Sequence, residues 1–351
     1  MREQSSVQLL LVVCLVATFG VGCLDLDGFI HNPVHCSTVG TETCEDKAEV
    51  PMDQICVPCD EEYSWTRDYE WLDGTLDEGT PAVRAVATEW QRSTLTSEDG
   101  EAQLDVYFIP SHGEVAELAD VTVLYNHGNY AGIEHYLPRL RFLHEAGYNV
   151  LTWDYRGYGK SMPESAPSPE QFVADARTMR EHAAGLVPDP ARIIIYANSL
   201  GGIPAVEMAV TSRPCALMLE AAFTSMSRIS ASNSGTSFPE SFFSQNLFDN
   251  VSKLNGYEGP VLIMIGELDN KFPLSDQQAI YDGVAGEKEL WLVPEARHGI
   301  ANVGVPEAGL TPYFETMFSF LQDKAPSCLG EVTGDDDDSA GDDDDSAGDG
   351  R

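Results

Sequence analysis

Three polar residues that together could carry out nucleophilic catalysis occur along the chain in the order Ser199, Asp269 and His298. Each follows an apolar run that predicts a buried strand: IIIYAN, PVLIMI and KELWLV, respectively. A serine hydroxyl is a weak nucleophile near neutral pH and needs an imidazole to accept its proton, and a carboxylate orients that imidazole. The pattern predicts Ser199 as the nucleophile, His298 as the general base and Asp269 as the orienting acid.

The stretch IIIYANSLGG departs at one position from the pattern G-x-S-x-G, which is typical of a sharp strand-to-helix turn with a serine at its tip. Ala197 stands where that pattern has its first glycine. The position needs a small side chain because the following helix approaches the strand closely, and alanine adds only a methyl group. Gly201 and Gly202 are expected to keep the first turn of that helix near the strand.

A glycine-containing loop, NHGNYAG, follows the apolar run Val121–Tyr125. The negatively charged oxygen of a tetrahedral intermediate needs two backbone N–H donors. We expect the N–H groups of Asn129 and Leu200 to form this oxyanion hole. His127, in the same loop, is expected to position the loop.

Short apolar strands alternate with amphipathic helices from about residue 80, which predicts a mostly parallel sheet with helices on both faces. One such helix is expected to begin with Ser168 as its cap and Pro169 in its first turn. Loops at the carboxyl ends of parallel strands meet at one edge of the sheet, where we expect the site. The Ser- and Phe-rich insertion between Phe223 and Gly259 is a candidate lid.

Five motifs, NHGN, DYRGYGKS (Asp154–Ser161), ANSLGG, GELD and RHG, resemble in register those of the α/β-hydrolase superfamily. They are similar in particular to its serine hydrolases with an HGN loop before DYRGYGKS, which include acyl-protein thioesterase-like and depalmitoylase-like proteins and bacterial relatives. The resemblance covers roughly residues 83–324. It implies an eight-stranded sheet, acyl-serine chemistry, no metal or organic cofactor, and a structural, mouth-lining and non-catalytic role for Asp154–Ser161. Its G-x-x-D spacing selects Asp269 over Glu267.

The N-terminal segment predicts export. Residues 1–22 combine a polar start, an apolar run and small residues before Cys23, as in a signal peptide, and GVGC resembles the lipidation motif of bacterial lipoproteins. Gly20 departs from that motif, so an ordinary signal peptide with unmodified Cys23 stays an alternative. We expect a lipid-anchored protein of the bacterial cell envelope.

The remaining segments are assigned by composition. Residues 23–79 are predicted to be a Cys-rich linker or cap, 80–326 the hydrolase domain and 327–351 a disordered acidic tail. Six cysteines outside the signal and Cys23 are consistent with up to three structural disulfides: Cys36, Cys44, Cys56, Cys59, Cys215 and Cys328. Spacing does not settle their pairing. The net charge of −37 argues against nucleic acid as a partner.

The expected function is hydrolysis of a small carboxylic ester, thioester or other acyl substrate. A peptidase or an acyltransferase of the same fold is the alternative in the same class. A surface-binding lipoprotein without catalytic activity is the alternative from another class.

Overall fold

The computed structural model describes residues 30–38, 57–63, 90–229, 246–298 and 310–330. The predicted signal peptide, Cys23, the middle of the candidate lid and residues 331–351 of the predicted acidic tail lie outside these described residues. Residues 327–330, which the prediction placed in the tail, lie in a short helical turn and its C-cap. Within them, every helix is too short or too polar to cross a bilayer.

An eight-stranded sheet lies at the centre of the described residues. Numbered along the chain, its strands lie side by side in the order first, second, fourth, third, fifth, sixth, seventh and eighth. The first strand pairs antiparallel with the second and the second with the fourth, whereas all other pairs are parallel. The sequence prediction of an eight-stranded, mostly parallel sheet is therefore confirmed. The strands are β1 (Gln91–Thr96), β2 (Gln103–Ile109), β3 (Thr122–Asn126), β4 (Asn149–Trp153), β5 (Ile193–Asn198), β6 (Ala216–Glu220), β7 (Val261–Gly266) and β8 (Lys288–Val293).

Helices cover both faces of the sheet, so every residue of β3, β4, β5, β6 and β7 is buried. Leu137 and Phe320 belong to the core on one face, and Phe172, Ile203 and Ile280 to the core on the other. This burial explains why the strands read as continuous apolar runs. The helices are α1 (Ile133–Glu145), α2 (Pro169–Ala183), α3 (Gly202–Ser212), α4 (Asn250–Lys253), α5 (Leu274–Gly283) and α6 (Leu310–Lys324).

The start of α2 confirms the capping prediction. The Ser168 hydroxyl accepts the Gln171 N–H at 3.3 Å, and the Gln171 side chain accepts the Ser168 N–H at 3.0 Å. Pro169 occupies the first turn, where its missing N–H leaves no hydrogen bond unmade. These reciprocal contacts fix where the helix begins.

Two disulfides lie within the described residues, Cys36–Cys59 and Cys215–Cys328. The second joins the residue before β6 to the short turn Pro326–Leu329 after α6, across a sequence separation of 113 residues. It attaches the last helix to the sheet. His35 lies beside Cys36 and Cys59, but sulfur atoms joined in a disulfide are not the thiolates that bind metal.

We expect replacement of both Cys215 and Cys328 by alanine to lower the free energy of unfolding by about 2–5 kcal/mol, because the cross-link restricts a long loop of the unfolded chain. Urea denaturation of the oxidised protein measures this loss. Adding a reductant to the wild type should shift its midpoint in the same direction. An unchanged midpoint in the double variant would contradict a stabilising role.

Candidate active site

Ser199 lies in a tight turn between β5 and α3. Its φ of 51° is in the left-handed region, which is uncommon for a residue with a side chain. A Cβ added at Gly201 would collide with the carbonyl groups of Asn126 and His127. The turn therefore needs glycine at 201, because the backbone of α3 begins against the end of β3.

Ala197 is fully buried and pairs with Asn126 across the sheet. The methyl group at this position is accommodated in the core beside α3. At Gly202 an added Cβ would lie 3.0 Å from the Ala222 Cβ. The close approach of helix and strand thus depends on the glycines after the serine, as expected.

The structure brings Ser199, His298 and Asp269 into one hydrogen-bonded chain. His298 Nε2 lies 3.0 Å from the Ser199 Oγ, and His298 Nδ1 lies 2.9 Å from Asp269 Oδ2. An ionised carboxylate only accepts hydrogen bonds, so Nδ1 carries the proton that it donates to Asp269. The Nε2 lone pair then accepts the serine hydroxyl.

Asp269 is held in place by the turn after β7. Its second oxygen, Oδ1, accepts the N–H groups of Lys271 at 2.8 Å and Phe272 at 3.0 Å, and the side chain is only 1% exposed. Glu267 instead accepts the Glu295 N–H at 3.1 Å and is exposed. Asp269, and not Glu267, is therefore the acid that contacts the imidazole.

Aromatic rings form one wall of the site. The Phe272 ring and the His298 imidazole form a T-shaped contact with centroids 4.9 Å apart, and Phe223 packs against Phe272. The Phe223 N–H donates to the Ser199 carbonyl at 2.8 Å. The nucleophile and the base thus lie next to an apolar surface.

The loop that follows β3 lies beside the serine turn, because Asn126 pairs with Ala197 at the ends of adjacent parallel strands. A Cβ at Gly128 would meet the Tyr136 hydroxyl and lie 2.9 Å from Asn198 Oδ1. A larger residue at this position would require the Tyr136 and Asn198 side chains to shift. Asn129 follows in this loop, while Leu200 lies in the first turn of a 3-10 helix, where N–H groups have no partner within the helix.

His127 is fully buried and stacks on Tyr155 with centroids 4.0 Å apart. Its Nδ1–H donates to the Gly128 carbonyl at 2.7 Å. Burial lowers the pKa of His127 to about 3, so the ring is neutral near pH 7. The residue holds the loop and is not bonded to Ser199.

The segment Asp154–Ser161 ties neighbouring loops together. Asp154 is fully buried and accepts the Ile133 N–H at 2.7 Å and the Lys160 N–H at 3.1 Å. Arg156 binds both carboxylate oxygens of Asp175, at 2.6 and 2.8 Å. These contacts are structural, as the resemblance implied.

A buried polar cluster beneath the serine turn was not predicted from the sequence. Glu220, at the end of β6, is bound by Arg139 at 3.0 Å, by the Tyr196 hydroxyl at 2.5 Å and by the Asn198 amide at 3.3 Å. Asn198 directly precedes Ser199 and is fixed by this cluster. The one signal in the sequence is a charged residue ending the apolar run ALMLE.

The mostly parallel sheet, its covering helices and the serine turn after β5 define an α/β-hydrolase fold. Within it, residues 119–243 match the family described as serine aminopeptidase, S33.

Proteins of bacteria and yeast are similar in sequence to part of the chain. The chain is 27% identical to YfhR of Escherichia coli K12 over 213 residues, which are 58% of this chain and 72% of YfhR. It is 29% identical to the protein bem46 of Schizosaccharomyces pombe over 264 residues, or 70% of this chain and 80% of bem46. It is 33% identical to Rv2307c of Mycobacterium tuberculosis over 160 residues, or 44% of this chain and 55% of Rv2307c.

Solved structures share the fold at lower identity. The Pyrococcus furiosus esterase Pf2001 superposes with a TM-score of 0.54 and 22% identity, over 68% of this chain and 92% of the esterase. Est1E of Butyrivibrio proteoclasticus, solved with ferulic acid, superposes with a TM-score of 0.51 and 18% identity, over 66% of this chain and 99% of Est1E.

We expect Asp154→Asn to change how stability depends on pH. Burial raises the pKa of Asp154 from 3.8 to about 7. Between about pH 4 and pH 7 the folded protein therefore keeps a proton on Asp154 that the unfolded chain has already released. Because the folded state binds this extra proton, the free energy of unfolding falls as the pH rises from about 4 to 7.

Urea denaturation of both proteins between pH 4 and pH 8 tests this expectation, with the shift worth about 1.4 kcal/mol per pKa unit. The wild type should lose stability relative to Asp154→Asn as the pH rises. Stability curves of the two proteins that stay parallel across this range would contradict a raised pKa of Asp154 in the folded protein.

Proposed function

We propose that the protein is a serine hydrolase that cleaves a carboxylic ester or thioester through an acyl-serine intermediate. The observation that carries the proposal is the hydrogen-bonded chain from the Ser199 Oγ through His298 to Asp269, with distances of 3.0 and 2.9 Å. A nucleophile within hydrogen-bond reach of a base that a third group orients is the arrangement that nucleophilic catalysis requires.

In the first half of the reaction, the Ser199 Oγ bonds to the acyl carbon while its proton passes to His298 Nε2. The imidazolium that forms is stabilised by Asp269, whose position is fixed by two backbone N–H donors. The carbonyl oxygen becomes an oxyanion, which the N–H groups of Asn129 and Leu200 receive in this proposal. The leaving alcohol or thiol departs with the proton held on His298.

In the second half, His298 Nε2 takes a proton from water as the water oxygen attacks the acyl carbon. The second tetrahedral intermediate collapses, the bond to the Ser199 Oγ breaks, and the proton returns to the serine. The carboxylic acid product leaves the enzyme in its starting state. No step requires a metal or an organic cofactor.

An apolar substrate suits the surroundings of the serine. Phe223 and Phe272 lie at the nucleophile and the base. Among the described residues, Leu268 and Leu274 on either side of the Asp269 turn are large hydrophobic side chains exposed by 53% and 42%. An acyl or alkyl group bound here would remove this apolar surface from water.

A serine peptidase is the second candidate, because residues 119–243 match a family described as a serine aminopeptidase. The same hydrogen-bonded chain serves amide hydrolysis, with His298 protonating a leaving amine. Substrate geometry outside the serine turn decides between these two reactions.

We also propose that the protein is exported to the cell envelope and anchored through lipid on Cys23. The two disulfides within the described residues support export, because structural disulfides persist in oxidising compartments. The lipid anchor rests on the sequence GVGC alone.

A fluorophosphonate probe should label the wild-type protein, because it traps an activated serine. Ser199→Ala should abolish labelling, and His298→Ala and Asp269→Asn should slow ester hydrolysis by about 10⁴-fold, as expected for loss of the base or its orientation. Gel fluorescence and p-nitrophenyl acetate hydrolysis measure the two effects.

Glu267→Gln is the matched control, since Glu267 is an acid in the same turn that does not contact His298. It should keep labelling and hydrolysis near the wild-type values. A folded wild type that stays unlabelled would favour a binding protein without catalytic activity.

A panel of p-nitrophenyl esters of increasing acyl length should show highest kcat/KM for short to medium chains, because the candidate lid between Phe223 and Gly259 is short. An acyl thioester and an aminoacyl anilide belong in the same panel. A maximum at long chains would contradict the expected acyl length, and hydrolysis of the anilide alone would favour the peptidase.

A further inference from the structure

A short N-terminal segment, residues 30–38, lies against the loop that carries Asn129, and we call it the strap. It is attached to the hydrolase domain through Gly159, whose N–H donates to the Val34 carbonyl at 2.9 Å and whose carbonyl accepts the Cys36 N–H at 2.8 Å. The strap contributes no strand to the sheet. Its contacts instead go to the edge of the candidate active site.

The strap binds the carboxamide of Asn129 on both sides. Asn129 Oδ1 accepts the Asn32 N–H at 2.8 Å, and Asn129 Nδ2 donates to the Ile30 carbonyl. The Asn129 side chain is therefore occupied by the strap backbone. In the proposed reaction, Asn129 serves the substrate through its main-chain N–H.

The Tyr158 hydroxyl completes this network. It donates to Asn129 Oδ1 at 2.5 Å and accepts the Asn32 N–H at 3.1 Å. His31 packs edge-on against Tyr158 and Phe172, with centroids 6.2 and 5.0 Å apart, and is only 9% exposed. Tyr158 is thus buried, whereas the Asn32–Asn129 hydrogen bond lies at the exposed edge of the network.

A disulfide and a second segment hold the strap in position. Cys36 at its end is bonded to Cys59. Two residues before Cys59, the fully buried Val57 donates its N–H to Glu134 in the first turn of α1 at 3.1 Å. The strap is therefore fixed to the same helix that follows the Asn129 loop.

The loop itself needs such support. Ala131 and Gly132, directly after Asn129 and Tyr130, have φ values of 43° and 135°. A positive φ costs free energy for alanine, and glycine can adopt many other backbone conformations. An oxyanion hole stabilises its ion only if its donors are already in position before the reaction. A carboxamide held from outside the loop supplies that constraint.

We propose that the strap is part of the active site, where Asn32, Tyr158 and the Asn129 side chain position the backbone N–H of Asn129 for the oxyanion. Asn129 acts through its main chain, and the other two are positioning residues. The inference rests on the proposed hydrolase function. It also makes the Cys36–Cys59 disulfide a requirement for full activity.

Tyr158→Phe tests the network because it removes only the hydroxyl. We expect kcat for p-nitrophenyl acetate to fall about tenfold with little change in KM, a smaller loss than the roughly 10²–10³-fold caused by deleting an oxyanion donor. The inhibition constant of a trifluoromethyl ketone, which forms an oxyanion on the serine, should rise by the same factor. Asn129→Ala should have a similar effect, and the double variant should not be additive.

Tyr257→Phe is the matched control, since Tyr257 is a buried tyrosine whose hydroxyl has no partner among the described residues. Its kcat and inhibition constant should equal those of the wild type. The thermal midpoints of both variants separate a positioning effect from loss of fold. If Tyr158→Phe lowers the midpoint but leaves kcat unchanged, or if it raises kcat, the proposal is wrong.

The disulfide is tested by Cys36→Ala with Cys59→Ala, compared with Cys215→Ala with Cys328→Ala. The first pair should lower kcat and weaken ketone inhibition in parallel, and the second should lower the thermal midpoint while kcat is retained. Equal kcat in the first pair and the wild type would overturn the requirement for the disulfide. A wild type without hydrolysis would instead refute the proposed function and leave the strap contacts without a catalytic role.

Discussion

The close packing of the Ser199 turn against the end of β3 is the constraint on which the rest of the site depends. Ser199 occupies the left-handed region, at a cost of about 1–2 kcal/mol for a residue with a Cβ. It stays there because Gly201 lies against the Asn126 and His127 carbonyls and because the Ser199 carbonyl accepts the Phe223 N–H. The same contact determines where α3 begins and brings the Asn129 loop beside the serine.

Charged and titratable groups are divided between support and reaction. Asp154, His127 and the pair of Arg139 with Glu220 are buried. Asp154 and His127 bind loop backbone groups, and Arg139 and Glu220 bind each other and neighbouring polar side chains. His298, the base of the proposed reaction, lies nearer the surface, with its side chain 12% exposed. Removing one partner of a buried ion pair destabilises the fold, so we expect substitutions in these supporting contacts to lower stability.

The strap extends the site beyond the sheet and its helices. A loop that must present an N–H in one orientation needs contacts from outside itself, because glycine and left-handed residues leave its backbone free to move. Here those contacts come from a segment joined by a disulfide to a second N-terminal segment. In this arrangement an oxidising compartment would favour both the stability of the fold and the geometry of the site.

The sequence by itself determined the order of strands and helices, because continuous apolar runs and a capping box are local signals. It also placed Ser199, Asp269 and His298 after three of the strands. The roles of these residues stay a prediction, while their contact is a property of the fold. Only the tertiary structure distinguished Asp269 from Glu267 by contact, since both lie in one turn and the path of the backbone decides which carboxylate reaches the imidazole. Only the tertiary structure revealed the Glu220 cluster and the strap. The strap binds Asn129 through its own backbone groups, in hydrogen bonds that join residues 97 and 99 positions apart in the sequence. Backbone groups do not depend on residue type, so no pattern of side chains indicates these contacts.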